Sequence, residues 1–531
     1  ITSAAVSNAM AGISASMRIG EWFSVQGNEI IAGNPVEAVS DTIILLNGPY
    51  RMCIPVSKVP VSFEGSGTES DPYIISSKKH LMTIADMCNS DRMEHYSGVH
   101  FLQTEDIDMD GDRTFKGIAS KCTNAFNSEQ SYYFSGVYDG GGHTISNLAI
   151  EGVTFRPDGT ANEYTQGSAG NVGLFGALGP GALVKNLNIT SSEISGYYNV
   201  GGISGFMHDN TEIRSCSVEA YIKAYNKAAG GITGASNASS DAVSITISDC
   251  IFRGKVLANS ETAGGIIGLN HALVSNCMNI GDVAVSKFND CVPMPKMILA
   301  GGIAGSNSGN IYDCFNAGNV SVEWSQAGGI AGYNTNGYRK GNIVRNVSVG
   351  QVSAADLTYA GSLIGLDYRI NTSQASHMEL SGNLYDKQVC QLGGSGNIDK
   401  EGLSGMLTET LTSGNAIDGL GENWSFMSGS YPLPTSLASV EAAKKAAVTY
   451  IAIDAPHSLF NSGEQASLAS TMPLTATLTD PTGTFSIDGT LIKASVPTSV
   501  AEAEIVIRNG DLERNLKLPK AGYILPGQGT A

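Results

Sequence analysis

The sequence predicts an all-β fold: a right-handed parallel β-helix, or solenoid, with a β-sandwich module at each end. Three observations predict it. A glycine phrase returns seven times between residues 170 and 366. A second phrase returns in step with it. The two ends of the chain match each other at a fixed offset. Internal repeats of this kind decide architecture before local propensity does.

The glycine phrase reads Gly173-Leu174-Phe175-Gly176, Gly202-Ile203-Ser204-Gly205, Gly231-Ile232-Thr233-Gly234, Gly265-Ile266-Ile267-Gly268, Gly302-Ile303-Ala304-Gly305 and Gly329-Ile330-Ala331-Gly332, with a worn copy at Ser362-Leu363-Ile364-Gly365. The starts are 29, 29, 34, 37, 27 and 33 residues apart. The second phrase runs Val184-Lys185-Asn186-Leu187, Ile213-Arg214-Ser215-Cys216, Ile247-Ser248-Asp249-Cys250, Val274-Ser275-Asn276-Cys277, Ile311-Tyr312-Asp313-Cys314 and Val344-Arg345-Asn346-Val347. A short alternating run such as Gly281-Asp282-Val283-Ala284-Val285 follows. Each repeat therefore reads as three short strands, and no stretch of it has helical length or period.

Three short strands cannot bury their inner faces alone, but stacked coils can. Each strand then pairs in parallel with its equivalent one coil away, about 4.8 Å off. Glycines allow tight turns and close backbone approach. The column Asn186, Asp249, Asn276, Asp313 and Asn346 suits corners. The column Leu187, Cys216, Cys250, Cys277, Cys314 and Val347 is expected to face the core. Parallel crossovers set the expected hand.

The flanks of the repeats carry further phrases. Upstream are Gly65-Ser66-Gly67-Thr68, Asp71-Pro72-Tyr73, Asp106-Ile107-Asp108 and Tyr138-Asp139-Gly140-Gly141-Gly142-His143-Thr144-Ile145. Downstream are Asn383-Leu384-Tyr385-Asp386 and the stretch from Trp424 to Tyr431-Pro432-Leu433. Over residues 63–436 the chain resembles the GLUG-repeat proteins, found on bacterial surfaces and beside the catalytic domain of some immunoglobulin A proteases. The resemblance implies a β-helix scaffold. Residues 63–169 are expected as its N-terminal cap, with Ser77 capping a short helix whose apolar face is Leu81, Ile84, Ala85 and Cys88. Residues 367–436 are expected as its C-terminal cap, with a helix near Ser404–Thr412 and an aromatic close at Trp424, Phe426 and Tyr431.

Residues 1–62 find their match inside the chain. At an offset of 462, Phe23-Ser24-Val25 meets Phe485-Ser486-Ile487, Ile43-Ile44-Leu45 meets Ile505-Val506-Ile507, and Asn47-Gly48 meets Asn509-Gly510. Asn-Gly between alternating strands is a hairpin signal. Residues 437–520 resemble a bacterial immunoglobulin-like domain, so 1–62 is expected as a partial copy that lacks its first strands. A sandwich with an open edge is a template for strand addition. Residues 521–531 are expected as a tail or linker.

The 531 residues hold 64 glycines, only 15% charged residues and 42% hydrophobic ones, which suits long β-structure rather than disorder. The net charge of −18 argues against nucleic acid as partner. No apolar run reaches the about 18 residues of a membrane span. The chain starts at Ile1 rather than Met, so any signal peptide is expected to be gone or outside this sequence. Nine cysteines include no Cys-x-x-Cys pair, so the four in the core column read as buried small hydrophobes, with stacked disulfides as the alternative.

The eight histidines form no zinc-peptidase pair. Acids within the repeats fall singly rather than in the paired slots a glycoside hydrolase needs. Asp106, Asp108 and Asp110 begin like a calcium loop, but Gly117 stands where a bidentate Glu should. The competing reading is a family strand with a polar face, so calcium is the one possible cofactor. His143 reads as a turn residue. Tyr132-Tyr133-Phe134, Tyr197, Tyr198, Trp324, Tyr333 and Tyr338 could stack on sugars or dock a partner, or cover core edges. Residues 285–299 read as an insertion on one face.

The sequence therefore points to a non-catalytic extracellular adhesin or surface-display rod. Its expected partner is a glycan or protein on a host or neighbouring cell. The alternatives are a fibre or layer subunit joined by strand exchange, and a β-helix carbohydrate-active enzyme.

Overall fold

The computed structural model describes residues 62–448 apart from 91–94, 121–131, 153–169, 241–243, 260, 287–297, 324, 336–340, 369–377, 391 and 397–399. Toward either end it describes mainly strands. Strand makes up 49% and helix 8%, and the central strands stack in parallel. This is a parallel β-helix.

Each coil carries four strands, not three. In one coil they are Leu183–Lys185, Asn188–Gly196, Asn199–Gly201 and Ser204–Met207. They belong to sheets of ten, fourteen, seven and seven strands, here called the first to the fourth. The glycine phrase is not itself a strand. It is the sharp junction between the third sheet and the fourth. At that junction the two short sheets press together. A Cβ on Gly268 would stand 2.6 Å from Gly234 O and 2.9 Å from Ala229 O, both backbone atoms that cannot swing away.

Like stacks on like along the core. The first sheet aligns Tyr138, Val184, Ile213, Ile247, Val274, Ile311 and Ile343, all fully buried. The third sheet aligns Val200, Ala229, Ala263, Ala300, Ala327 and Ala360. Small residues fill the narrow end of the coil, and burying each larger aliphatic is worth about 1.5–3 kcal/mol.

The corner column takes the left-handed backbone region, where Asn and Asp are tolerated best. Asn186, Ser215, Asp249, Asn276 and Asp313 all have φ between 52° and 54°. In the next coil the residue in that place is Arg345, with φ of 55°, and not Asn346. The pairing of Ile311 with Ile343 and Tyr312 with Val344 shifts the expected alignment by one. Asn346, not Val347, therefore continues the Leu187, Cys216, Cys250, Cys277 and Cys314 column, and Asn383 follows it.

The four thiols of that column are free and buried. Cys216, Cys250, Cys277 and Cys314 each donate to the carbonyl two residues back, at 3.1–3.3 Å. Toward the C-terminal coils, other core columns turn polar too. Asn270 Nδ2 donates to Asn307 Oδ1 (2.7 Å), Asn307 to Asn334 (2.8 Å) and Asn334 to Asp367 (3.0 Å), and Asp367 pairs with Lys400. Asn279 donates to Asn316 at 2.8 Å in a second such ladder. Stacked amides satisfy each other coil by coil, which avoids the penalty of a buried unpaired polar group.

The helix Lys78–Asn89 buries Leu81, Ile84, Ala85 and Cys88 as expected. Ser77 occupies its N-cap position but makes no side-chain cap bond. The helix expected near Ser404–Thr412 is a strand, Leu403–Met406, followed by a single turn, Thr408–Leu411. The strand wins because it pairs with Asn383–Asp386 of the last coil.

The C-terminal cap lies along a flank. Trp424, Tyr431, Leu433, Leu437, Ala443, Ala446 and Ala447 pack on the outer face of the second sheet, over Ile251, Met278, Phe315, Val347 and Leu384. Those five residues share one register column, continued upstream by Ser217 and Asn188. The outer face is apolar where it is covered and polar where it is not.

The two ends pair their strands in the same order. Thr2–Ala5, Glu29–Ala32 and Phe23–Gln26 form one sheet, as do Gln465–Ala469, Leu491–Ala494 and Phe485–Asp488. Ser14–Met17, Val39–Asn47 and Tyr50–Lys58 form a second, as do Thr475–Thr479, Glu504–Asn509 and Leu512–Lys517. The C-terminal set adds Ala452–Asp454 beside Gln465–Ala469. Fewer strands separate the two sets than the spacing implied, because Thr2–Ala5 and Ser14–Met17 already fill two places. Lys520–Ala521 pairs in parallel with Leu459–Phe460, so Ala521 of the expected tail belongs to a strand, and residues 522–531 lie outside the described residues.

Candidate binding surfaces

The acids of the calcium-like stretch do not converge on a point. Asp106 Oδ1 accepts from the Thr144 N–H (2.8 Å). Asp108 Oδ1 accepts from the Asp110 N–H (2.8 Å) and from Asn147 Nδ2 (2.9 Å). The Asn147 bond, then the Asp110 bond, hold the Asp108 carboxyl below its usual range. Among the described residues no group of three or more His, Cys, Asp or Glu could hold a metal ion. The stretch stitches one coil to the next: Ile107–Asp108 pairs with Ile145 and Ser146, which sets that part of the backbone extended. His143 sits in the turn, its N–H bonded to Gly140 O, and its Nδ1 lies 3.4 Å from Asp106.

The aromatic residues divide. Tyr132 and Phe134 are buried, and Tyr133 stacks on His95 with centroids 4.1 Å apart. Tyr197 is also buried, with Tyr198 edge-on to it at 4.9 Å. Tyr333 is partly exposed and stacks with Tyr368, centroids 6.3 Å apart and planes 23° from parallel. Tyr368 is 53% exposed, so this pair offers ring surface to solvent. Trp324 and Tyr338 lie outside the described residues, as does 287–297 of the insertion.

Tyr333 belongs to a column of the fourth sheet that sequence reading did not isolate. Its register equivalents are Ala177, Phe206, Ala235, Leu269, Ser306 and Leu366. Phe206 lies edge-on to His208 at 4.8 Å. Burial pushes the His208 pKa down, partly offset by Asp209. His271 Nδ1 lies 2.9 Å from Ser236 O. The aliphatic core column of the first sheet holds one residue class from Val184 to Ile343, whereas this column changes at every rung. Tyr368 was missed because it lies three places beyond the end of the glycine phrase, where the sequence shows no repeat.

Two carboxylates that look scattered in sequence meet in space. Glu151 and Glu193 both reach Arg113, at 3.2 and 3.8 Å. Strand pairing explains it: Ala149 pairs with Glu193 and Glu151 with Ser195, which sets the two acids diagonally on neighbouring rungs. Glu193 is exposed and Glu151 partly so, and they share one guanidinium.

No family model matches the sequence. Halomucin of Haloquadratum walsbyi is 25% identical over 176 residues, which is 32% of this chain and 2% of halomucin. The chain thus spans a small part of that relative's length. Among solved structures, an IgA1 protease aligns over 76% of this chain and 28% of its own, at 13% identity and a TM-score of 0.42. No helix among the described residues is long and apolar enough to cross a membrane.

Proposed function

We propose that this chain is part of an extracellular surface protein whose β-helix serves as a stiff rod for attachment to a glycan or protein of a neighbouring or host cell. The observation that carries this reading is the Tyr333–Tyr368 stack, ring surface offered to solvent from a regular scaffold. Exposed tyrosine faces are suited to sugar rings and to partner hot spots. The resemblance of the repeats to GLUG repeats supports the setting. The Arg-shared pair Glu151 and Glu193, one partly and one fully exposed, lacks the dry environment that separates a catalytic acid from its partner, so binding is favoured over glycan cleavage. The test is a panel of immobilised glycans and matrix proteins probed with the full chain and with Tyr333→Ala and Tyr368→Ala. Retention that falls about tenfold in both variants supports the reading. Ligands held equally by all three proteins would sink it.

A second reading is assembly by strand addition. It is favoured by one observation: among the described residues Thr2–Ala5 lies at a sheet edge, whereas its counterpart Gln465–Ala469 is covered by Ala452–Asp454. Light scattering across concentration decides it. Mass that grows with concentration supports assembly, and a constant monomer mass excludes it.

A further inference from the structure

The strip of the fourth sheet that carries Tyr333 and Tyr368 runs on upstream of that pair. Register builds it from two columns. One is Phe206, Ala235, Leu269, Ser306, Tyr333 and Leu366. The other lies two residues further along each strand: His208, Asn237, His271, Ser308, Thr335 and Tyr368. Ala235, Ser308 and Thr335 are buried, and the others are partly or fully exposed. Neither column holds a Lys, Arg, Asp or Glu. Among the described residues of these strands and their ends, the charged ones are Asp209 and Asp367. Asp209 accepts from the Ser239 N–H (2.9 Å) and from the Ser239 hydroxyl. Asp367 lies in the ladder beside Asn334 and pairs with Lys400. At the upstream end the ring surface widens. Phe206 meets His208, and the His208 ring lies 6.1 Å from that of Tyr133. Tyr133 covers Gly179, one rung before His208, where a Cβ would collide with the ring. His95 then stacks on Tyr133.

We infer that this strip binds an extended neutral polysaccharide, laid along the solenoid axis from Tyr333 and Tyr368 to Phe206 and His208. The inference rests on the attachment reading above and deepens it, by naming the ligand class and a second contact point. Rings at both ends and Leu269 between them suit the apolar faces of sugar rings. The His208 imidazole, the Asn237 amide and the Ser306 hydroxyl stand among them to bond sugar hydroxyls. The lack of cations in the strip selects against acidic chains, because a carboxylate laid here would lose hydration and gain no counter-charge. An added peptide strand is disfavoured too: the backbone of these rungs is already paired along a seven-stranded sheet, which leaves no open ladder beneath the strip. Length follows from the register. Four rungs separate Phe206 from Tyr333, about 19 Å at about 4.8 Å per rung. One ligand must therefore be several sugars long to touch both ends.

The test is titration calorimetry of the full chain with cellohexaose and mannohexaose, with their disaccharides, and with a hexamer of galacturonic acid. The expected result is that a neutral hexamer binds at least about tenfold more tightly than its disaccharide and than the acidic hexamer, with little dependence on salt. Phe206→Ala should weaken the hexamer about tenfold and leave the disaccharide unchanged, whereas Phe206→Tyr, which keeps a ring, should hold the hexamer as wild type does. Tyr368→Ala should weaken both lengths. No binding of either neutral hexamer, equal affinity for hexamer and disaccharide, or tighter binding of the acidic hexamer would overturn the inference. So would a hexamer that Tyr368→Ala weakens and Phe206→Ala does not, but that outcome leaves the attachment reading standing on the tyrosine pair. Thermal melts of each variant separate lost binding from lost folding.

Discussion

The indole N–H of Trp424 donates to Asp313 Oδ1 at 3.2 Å, joining residues 111 positions apart in the chain. Asn423 Nδ2 reaches Oδ2 of the same carboxylate at 2.9 Å. Arg345 on the neighbouring rung grips it at two points, both 2.7 Å. A corner residue of the solenoid is thus the anchor for the C-terminal cover, and the cover shields the apolar strip of the second sheet.

Replacing that anchor should loosen the cover. Asp313→Asn keeps a residue suited to positive φ but loses the ion pair. Asp313→Ala loses both. Denaturant unfolding should rank the losses, with Ala costing about 2–4 kcal/mol and Asn less. Equal stability of wild type and Asp313→Ala would remove Asp313 from this role.

Asn346 supports the coil through its amide. Its Oδ1 accepts from the Cys314 N–H (2.8 Å), and its Nδ2 donates to Ile311 O (3.1 Å) and Asn383 Oδ1 (2.9 Å). Asn346→Val should cost about 2–4 kcal/mol, because it strands a backbone donor in the core.

The core thiols should be inert. Burial pushes Cys216, Cys250 and Cys277 well above the ordinary thiol range. Cys53 is exposed on the strand Tyr50–Lys58. A maleimide applied to native protein should label Cys53 within minutes and spare the column until denaturant is added. Peptide mapping that finds label on Cys250 in the native state would contradict the packing.

Two acids should act in opposite senses on stability against pH. Burial raises the Asp112 pKa, but bonds from Thr114 and Lys78 outweigh it and hold the carboxyl at about 2, against an ordinary 3.8. Its stabilising effect is complete above about pH 4 and is lost as pH falls toward 2. The pair is partly open to solvent, which screens it, so the effect is small, and Lys78→Met should flatten that limb of the acid-unfolding curve. Asp386 is raised by burial, although Thr408, Tyr431 and the backbone of Gln388 and Val389 all donate to it. Its contribution is full below 3.8 and is lost as pH rises through the folded-state value. A carboxyl carbon titration that places Asp386 below 3.8 would refute this.

Much of the fold was legible because solenoid coils repeat their demands. The glycine phrase, the aliphatic column of Val184, Ile213 and Ile247, and the corner residues Asn186 and Asp249 each return because each rung poses the same steric problem. One further signal was present but unread. The residue after the core column changes from Asn188 and Ser217 to Ile251, Met278 and Phe315, which marks where the outer face must be covered. The candidate surfaces were less legible, since outward residues answer to no shared packing rule.

The sequence by itself determined the coil, its period and its inward columns, because burial fixes which side chains stack. Tertiary structure alone decided three things. It chose Arg345 over Asn346 for the corner, because Ile343 continues the fully buried aliphatic column and carries its neighbours one place along. It laid Trp424 and Tyr431 on a flank, because the apolar strip from Ile251 to Leu384 exists only once rungs are stacked. And it brought Glu151, Glu193, Tyr221 and Lys255 together, because rung spacing turns residues dozens of positions apart into neighbours.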